Sequence, residues 1–305
     1  MSASGRQFPL AAGDYRAVVT EVGASLRMLA FRGRDLTLGY AEDERMQLHR
    51  GGVLAPWPNR IGDGKYTFDG VEHQVAVNEV GRMNAIHGLV NWQAWAVESE
   101  SDSAVELSMR IWPQPGYDFT VDMRIAYSLA ETGLTIELTA TNAGATAAPY
   151  GGSIHPYLVA GDGLVDDWTL TVPATQVVDA DPVRLLPVGT TSPLAGTSLD
   201  FSTPRLVGAT EIDHAMTGLT AGPDGRAVAR VVGPDGRGAE IEWSVAECAW
   251  VQVHTADRPE PENDRRGMAI EPMTCPPDAF RTGQGLIALQ PGASTSASWT
   301  IRGLA

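Results

Sequence analysis

Lysine is all but missing from this chain: Lys65 is the only one among 305 residues. It sits in a turn-like Asp-Gly-Lys stretch, which removes Schiff-base catalysis as the leading chemistry. Cysteine is nearly as scarce. Cys248 and Cys275 form neither a C-x-x-C pair nor a metal-ligand spacing, and they read as two reduced structural thiols rather than zinc ligands. Close histidine spacings such as HxH or HExxH are absent too, so no metal is expected. No apolar run approaches the roughly 18 to 20 residues that cross a bilayer. The opening MSASGRQFPLAAGDYR lacks a basic region followed by an apolar stretch, and a cytoplasmic protein is the expectation. Positive charge is in deficit, with 22 Lys and Arg against 37 Asp and Glu, a net −15. These charges are scattered. Such a field repels nucleic acid and anionic membrane and excludes both as partners.

No amphipathic helix of three turns is legible either; what is present is period-two alternation. In FTVDMRIAYSL, Val121, Met123, Ile125, Tyr127 and Leu129 share one face, and Leu134, Ile136 and Leu138 repeat the pattern after a turn at Glu131-Thr132-Gly133. KYTF and VEHQ flank Asp69-Gly70, a strong hairpin signal. Further strands are expected at RAVVTEV, LRMLAF, AVELSMRI, WTLTV, AVARVV, AEIEWSV, WVQVHT and STSASWTIR. The stretch Pro182 to Pro204 alternates poorly and reads as a long surface loop. With 33 glycines and 20 prolines spread along the whole length, no linker stands out. The expectation is a single all-β domain over residues 1–305, one large, mostly antiparallel β-sandwich.

Five stretches hold residues that could do chemistry. In GGSIHPYL, His155 follows Gly151 and Gly152 and precedes Pro156, which biases it toward an extended backbone. In GMAIEPM, Glu271 comes straight after the apolar run Met268-Ala269-Ile270. A carboxyl there is costly unless paired or used, and burial raises its pKa toward the range of a general base. Alternatively it caps a loop or pairs with Arg281. His87 precedes Gly88 near Trp92 and Trp95, and Asp213 stands beside His214; one reads also as an ordinary histidine, the other as a turn or helix cap. Arg60, in APWPNRIGDGKY, offers a fork of donors suited to hydroxyls or carboxylates, or to a surface ion pair.

In this order the stretches resemble the aldose 1-epimerases, or galactose mutarotases: PNRI at Asn59 to Ile61, N-x-x-H-G from Asn84, H-P-Y at His155, I-D-H at Asp213 and E-P…P-D-A at Glu271. The resemblance spans nearly the whole chain. It implies the galactose mutarotase-like supersandwich and an isomerase that interconverts the α and β anomers of a free hexose, with no cofactor. By resemblance Glu271 is the general base, His155 the general acid and His87 a second active-site histidine. Arg60 and Asp213 hold sugar hydroxyls, with Asn59 and Asn84 in support. At rest the acid and base are expected as an imidazolium and a carboxylate, each stabilising the other. The two glycines are expected to let the sugar approach.

Leu158-Val159-Ala160 and Leu89 depart from the commoner galactose mutarotase pattern, while HGL…W and EPMTCPPDAF resemble a bacterial subgroup, some of whose members are linked to sulfoquinovose breakdown. A sulfosugar needs a cation near C6, for which Arg50, Arg82 and Arg281 are candidates. Rival readings are a hexose-6-phosphate 1-epimerase, given Arg50-Gly51-Gly52, and a carbohydrate-binding module without catalysis. The expected partner is a monosaccharide, and the expected assembly a monomer or weak homodimer.

Overall fold

The computed structural model describes residues 2–305. In the strand Val121–Ala130 the five residues of the alternating face are all buried. The next strand, Gly133–Asn142, repeats this with Leu134, Ile136, Leu138 and Ala140. Each large aliphatic side chain so buried stabilises the fold by about 1.5–3 kcal/mol, which is why the pattern dictates the register. These two strands are central to a nine-stranded antiparallel sheet whose order runs Ala96–Glu100, Ala104–Ile111, Val121–Ala130, Gly133–Asn142, Ser294–Leu304, Gly238–Ser244, Arg226–Val232, Thr169–Thr171 and Arg205–Leu206. Its inner face is covered by a six-stranded sheet, ordered Tyr157–Leu158, Met268–Met273, Trp250–His254, Asp213–Thr217, Gln176–Ala180 and Pro187–Pro193, and by a four-stranded N-terminal sheet. Trp299 spans the layers, donating from Nε1 to the Pro272 carbonyl at 3.1 Å, and Tyr127 donates to the Ala24 carbonyl at 2.6 Å.

The hairpin forms as expected: Lys65–Phe68 pairs with Val71–Gln74 across Asp69 and Gly70, both with positive φ. Among the described residues helix is confined to the single turn Ala279–Thr282 and two short 3-10 segments. No helix among the described residues is long and apolar enough to cross a membrane.

One expectation fails. The stretch read as a loop from Pro182 to Pro204 contains the strand Pro187–Pro193, paired with Gln176–Ala180. It is the edge of the six-stranded sheet and is mostly exposed, so PVGTTSP carries no alternation, and prolines are tolerated at its ends. Leu194 and Phe201, further on, are core residues.

Candidate active site

The six-stranded sheet presents one chemically loaded face. Glu271 lies opposite Gln252, and His254 opposite Asp213, in antiparallel register. Residues opposite one another, and residues two apart, share a face. Glu271, Gln252, His254 and Asp213 therefore project together, joined by Tyr157, which lies opposite Ala269. The strand Met268–Met273 is buried along its entire length, so Glu271 enters the cleft from inside the core.

The facing wall is built from tight loops. Asn59 and His87 both adopt left-handed backbone, with φ of 54° and 64°. The Asn59 N–H donates to His87 Nδ1 at 3.3 Å, and the His87 N–H to the Asn59 carbonyl at 3.0 Å. Gly88 follows at φ 75°, where a Cβ would lie 1.9 Å from the Ala55 carbonyl oxygen. His155 is clamped by its backbone, donating to Gly52 and accepting from Gly51. Its ring stacks on Tyr157 at 5.0 Å.

Between the walls lies a cleft of about 920 Å³, lined by Asn59, Arg60, His87, His155, Asp213 and Glu271 among others. Six of the seven residues singled out from the sequence thus meet there. Asn84 does not line it; its amide donates to Glu79 Oε2 at 2.8 Å and to the Arg184 carbonyl. Glu79, which the sequence reading missed, takes two hydrogen bonds from Arg60, at 2.9 and 3.0 Å. Burial works against the Arg60 charge, but Glu79 and Asp213 outweigh it and hold its pKa above the ordinary value. Asp213 sits 3.8 Å from Arg60 and accepts from Gln252 at 2.7 Å.

His155 Nε2 lies 3.3 Å from Glu271 Oε1, with both side chains almost wholly buried. Burial, with Asp213 adding and Arg60 opposing, pushes the Glu271 carboxyl well above its ordinary range. Burial, with His49 and His254 adding, pulls His155 well below its own. His155 Nδ1 and Glu271 Oε2 have no protein partner among the described residues. An imidazolium needs an acceptor at each nitrogen, and a buried carboxylate needs donors at both oxygens. Burial thus drives both groups toward their uncharged forms, a carboxylic acid beside a neutral imidazole, rather than toward the ion pair expected at rest. The glycines are corrected as well. A Cβ on Gly151 would meet Cys275 Sγ at 2.4 Å, and one on Gly152 the Tyr150 hydroxyl at 2.7 Å, so both serve packing behind the site.

His87, His155 and Glu271 bring ligand atoms within 4.8 Å of one another, a donor set of the kind that holds zinc. Its hydrogen bonding opposes that use. His87 Nδ1 is occupied by the Asn59 N–H, which leaves the ring proton on Nε2 and neither lone pair free.

Three further residues escaped the sequence reading. His254 Nδ1 bonds the Ile212 carbonyl, which must make it the donor, so Nε2 accepts from Arg258 at 3.3 Å. His49 packs edge-on against His87. His254 was the most findable: in WVQVHT it alternates with the core residues Val251 and Val253 and shares its face with Gln252.

The family model for aldose 1-epimerase matches residues 6–302. The uncharacterized protein YihR of Escherichia coli is 38% identical over 300 residues, covering 96% of this chain and 91% of that protein. Human galactose mutarotase is 29% identical over 199 residues, 62% of this chain and only 56% of the human protein's length. Among solved structures, an aldose epimerase homologue from C. elegans superposes with a TM-score of 0.86 at 20% identity, covering 98% of both chains. The galactose 1-epimerase of Lactobacillus acidophilus gives 0.80 at 16% identity, over 95% of this chain and 91% of that one. At these identities the structural matches speak to the fold alone.

Proposed function

The chain belongs to the aldose 1-epimerase family, and from that premise we propose that it is a mutarotase, interconverting the α and β anomers of a free hexose. The observation that carries the proposal is the buried contact of His155 and Glu271 in a cleft shared with Arg60, Asp213 and His87. A pyranose settling there separates the pair and replaces their contact with two hydrogen bonds of its own. Its O1 hydroxyl donates to Glu271, and its ring oxygen accepts from His155 Nε2. On sugar binding the Glu271 proton passes to His155, leaving a carboxylate and an imidazolium. Glu271 then takes the O1 proton as His155 delivers its Nε2 proton to the ring oxygen, the C1–O5 bond breaks, and the open-chain aldehyde forms beside a protonated Glu271 and a neutral His155. Rotation about C1–C2 exposes the other face, and closure returns both protons. Proton count is conserved at every step. A positioned acid or base contributes about 10² to 10⁴ in rate. His87, fixed as an Nε2–H donor, and Arg60, held rigid by Glu79, steady the sugar's oxygens. Anomer exchange followed by NMR on glucose and galactose tests this; exchange above the spontaneous rate is expected.

A specific observation favours a second reading of the substrate. Arg258 lines the cleft with its Nε buried and unpartnered, and no carboxylate among the described residues pairs with it. Arg45, also at the cleft, lies over the Trp92 ring at 5.6 Å and is likewise unpaired. The cations named from the sequence are otherwise engaged: Arg82 with Glu79, Arg281 with Asp278, and Arg50 with Asn263. A sugar carrying sulfonate or phosphate, such as sulfoquinovose or a hexose 6-phosphate, would satisfy Arg258. On this reading Arg258→Gln raises KM for the anionic sugar and leaves glucose unaffected. Equal effects on both sugars contradict it. Binding without acceleration on every sugar would instead favour the carbohydrate-binding module.

A further inference from the structure

The cleft contains an imidazole, His49, that the proton transfers above do not use. His49 lines the cavity, its ring centroid 4.6 Å from His87 in an edge-to-face arrangement, 6.1 Å from His155 and 6.1 Å from Trp92. Its placement is enforced by the backbone. Leu48 and His49 are consecutive non-glycine residues with positive φ, 52° and 58°. Such backbone persists only where the surroundings fix it. Here they do: the His49 carbonyl accepts from Gly52, and Gly51 and Gly52 are the two residues that bond the His155 backbone. The turn that aims His49 and the segment that aims His155 are thus one hydrogen-bonded unit.

The ring's two nitrogens differ. Nδ1 is sealed from solvent with no partner. A sealed N–H without an acceptor is rarer and costlier than a sealed lone pair, so the ring proton belongs on Nε2. Among the described residues nothing bonds Nε2, and the residue lines the cleft. Burial, with Arg258 adding, pulls the His49 pKa down to about 4, so the ring is neutral at ordinary pH. It offers a single uncharged donor beside the one His87 offers.

We infer that His49 is a further sugar-binding residue, its Nε2–H donating to a pyranose hydroxyl on the side of the cleft lined by Trp92 and Arg258. The inference rests on the site being a pyranose site, and it extends the recognition set beyond Arg60, Asp213 and His87. His49 thereby selects for the hydroxyl it meets, because a sugar lacking that hydroxyl leaves the donor unpaired.

The test compares wild type, His49→Phe and His49→Gln on glucose and its monodeoxy analogues, with anomer exchange by NMR and binding by calorimetry. Phe keeps the edge-to-face packing and removes the donor; Gln restores one. His49→Phe is expected to raise KM for glucose about tenfold, the equivalent of one hydrogen bond, with kcat changed by less than roughly threefold. For one monodeoxy sugar, wild type and His49→Phe are expected to bind alike, and His49→Gln recovers part of the loss. Unchanged KM for every sugar, or a fall in kcat alone, overturns the inference. Should His49→Phe fail to fold, ¹⁵N-histidine NMR of the wild type decides: an Nε2 resonance of His49 unmoved at saturating glucose also overturns it. If wild type accelerates no sugar, the mutarotase reading fails, while calorimetry still reads the contribution of His49 to binding.

Discussion

At the scale of single residues, the site turns on a buried carboxyl and a buried imidazole in contact. Glu271 keeps its proton well above the ordinary 4.5, and His155 refuses a second one until well below 6.5. Both shifts carry the titrations out of the interval in which free Glu and His titrate. kcat/KM is expected to show no inflection near 6.5, losing activity in acid only when the pair gains a second proton and in base only when it loses its last. A profile with an ordinary histidine limb near 6.5 contradicts the neutral pair. Stability follows the same linkage. Between 4.5 and the raised pKa the folded state binds the extra proton, so the contribution of Glu271 declines as pH rises through that window. Glu271→Gln removes the decline, and at about pH 8 its thermal midpoint is expected to equal or exceed that of wild type. A midpoint several degrees lower would show the carboxyl to be structural. Glu79 has the opposite character. Glu79→Ala removes the bidentate partner of the buried Arg60 guanidinium and leaves Asp213 as its nearest carboxylate, at a cost of about 1–3 kcal/mol. Urea denaturation reads this directly.

At the scale of elements, legibility followed burial. Strands with one face in the core carry their period in the sequence, so Val121–Ala130 and Gly133–Asn142 could be read directly. The edge strand Pro187–Pro193 could not, because exposure on both sides removes the pressure to alternate. The same reasoning divides the site. Glu271 and His155 stood out as polar residues set into apolar or rigid stretches, whereas Glu79, His49 and Arg258 lie in polar loops where their types are unremarked. Partnership was hidden too: Arg60 and Glu79 are 19 residues apart and meet only because Arg60–Gly62 pairs with Asn84–Ile86. The loops that hold His87 are unforgiving. Gly88→Ala places a methyl group on the Ala55 carbonyl oxygen in a left-handed backbone, and both stability and kcat/KM are expected to fall. A variant with wild-type stability and rate would show this turn to be free to relax.

At the scale of the whole molecule, the site belongs to no single segment. Its groups come from positions 49 to 87, from 155, and from 213 to 271, brought together only when the six-stranded sheet and the N-terminal loops close on the nine-stranded sheet. Trp168, Trp243 and Trp299 are fully buried between these layers and report that closure. Activity and tryptophan fluorescence are accordingly expected to be lost over the same range of urea. Activity lost well before the fluorescence change would mean the cleft opens separately from the sandwich.

The most direct test of the central claim is anomer exchange by NMR in wild type and Glu271→Gln, on the sugar wild type exchanges fastest. Exchange above the spontaneous rate in wild type, falling about 10² to 10⁴-fold in the variant while sugar binding persists, is the predicted result. A variant as fast as wild type, or a wild type that binds sugar and never exceeds the spontaneous rate, would contradict catalysis by the His155–Glu271 pair.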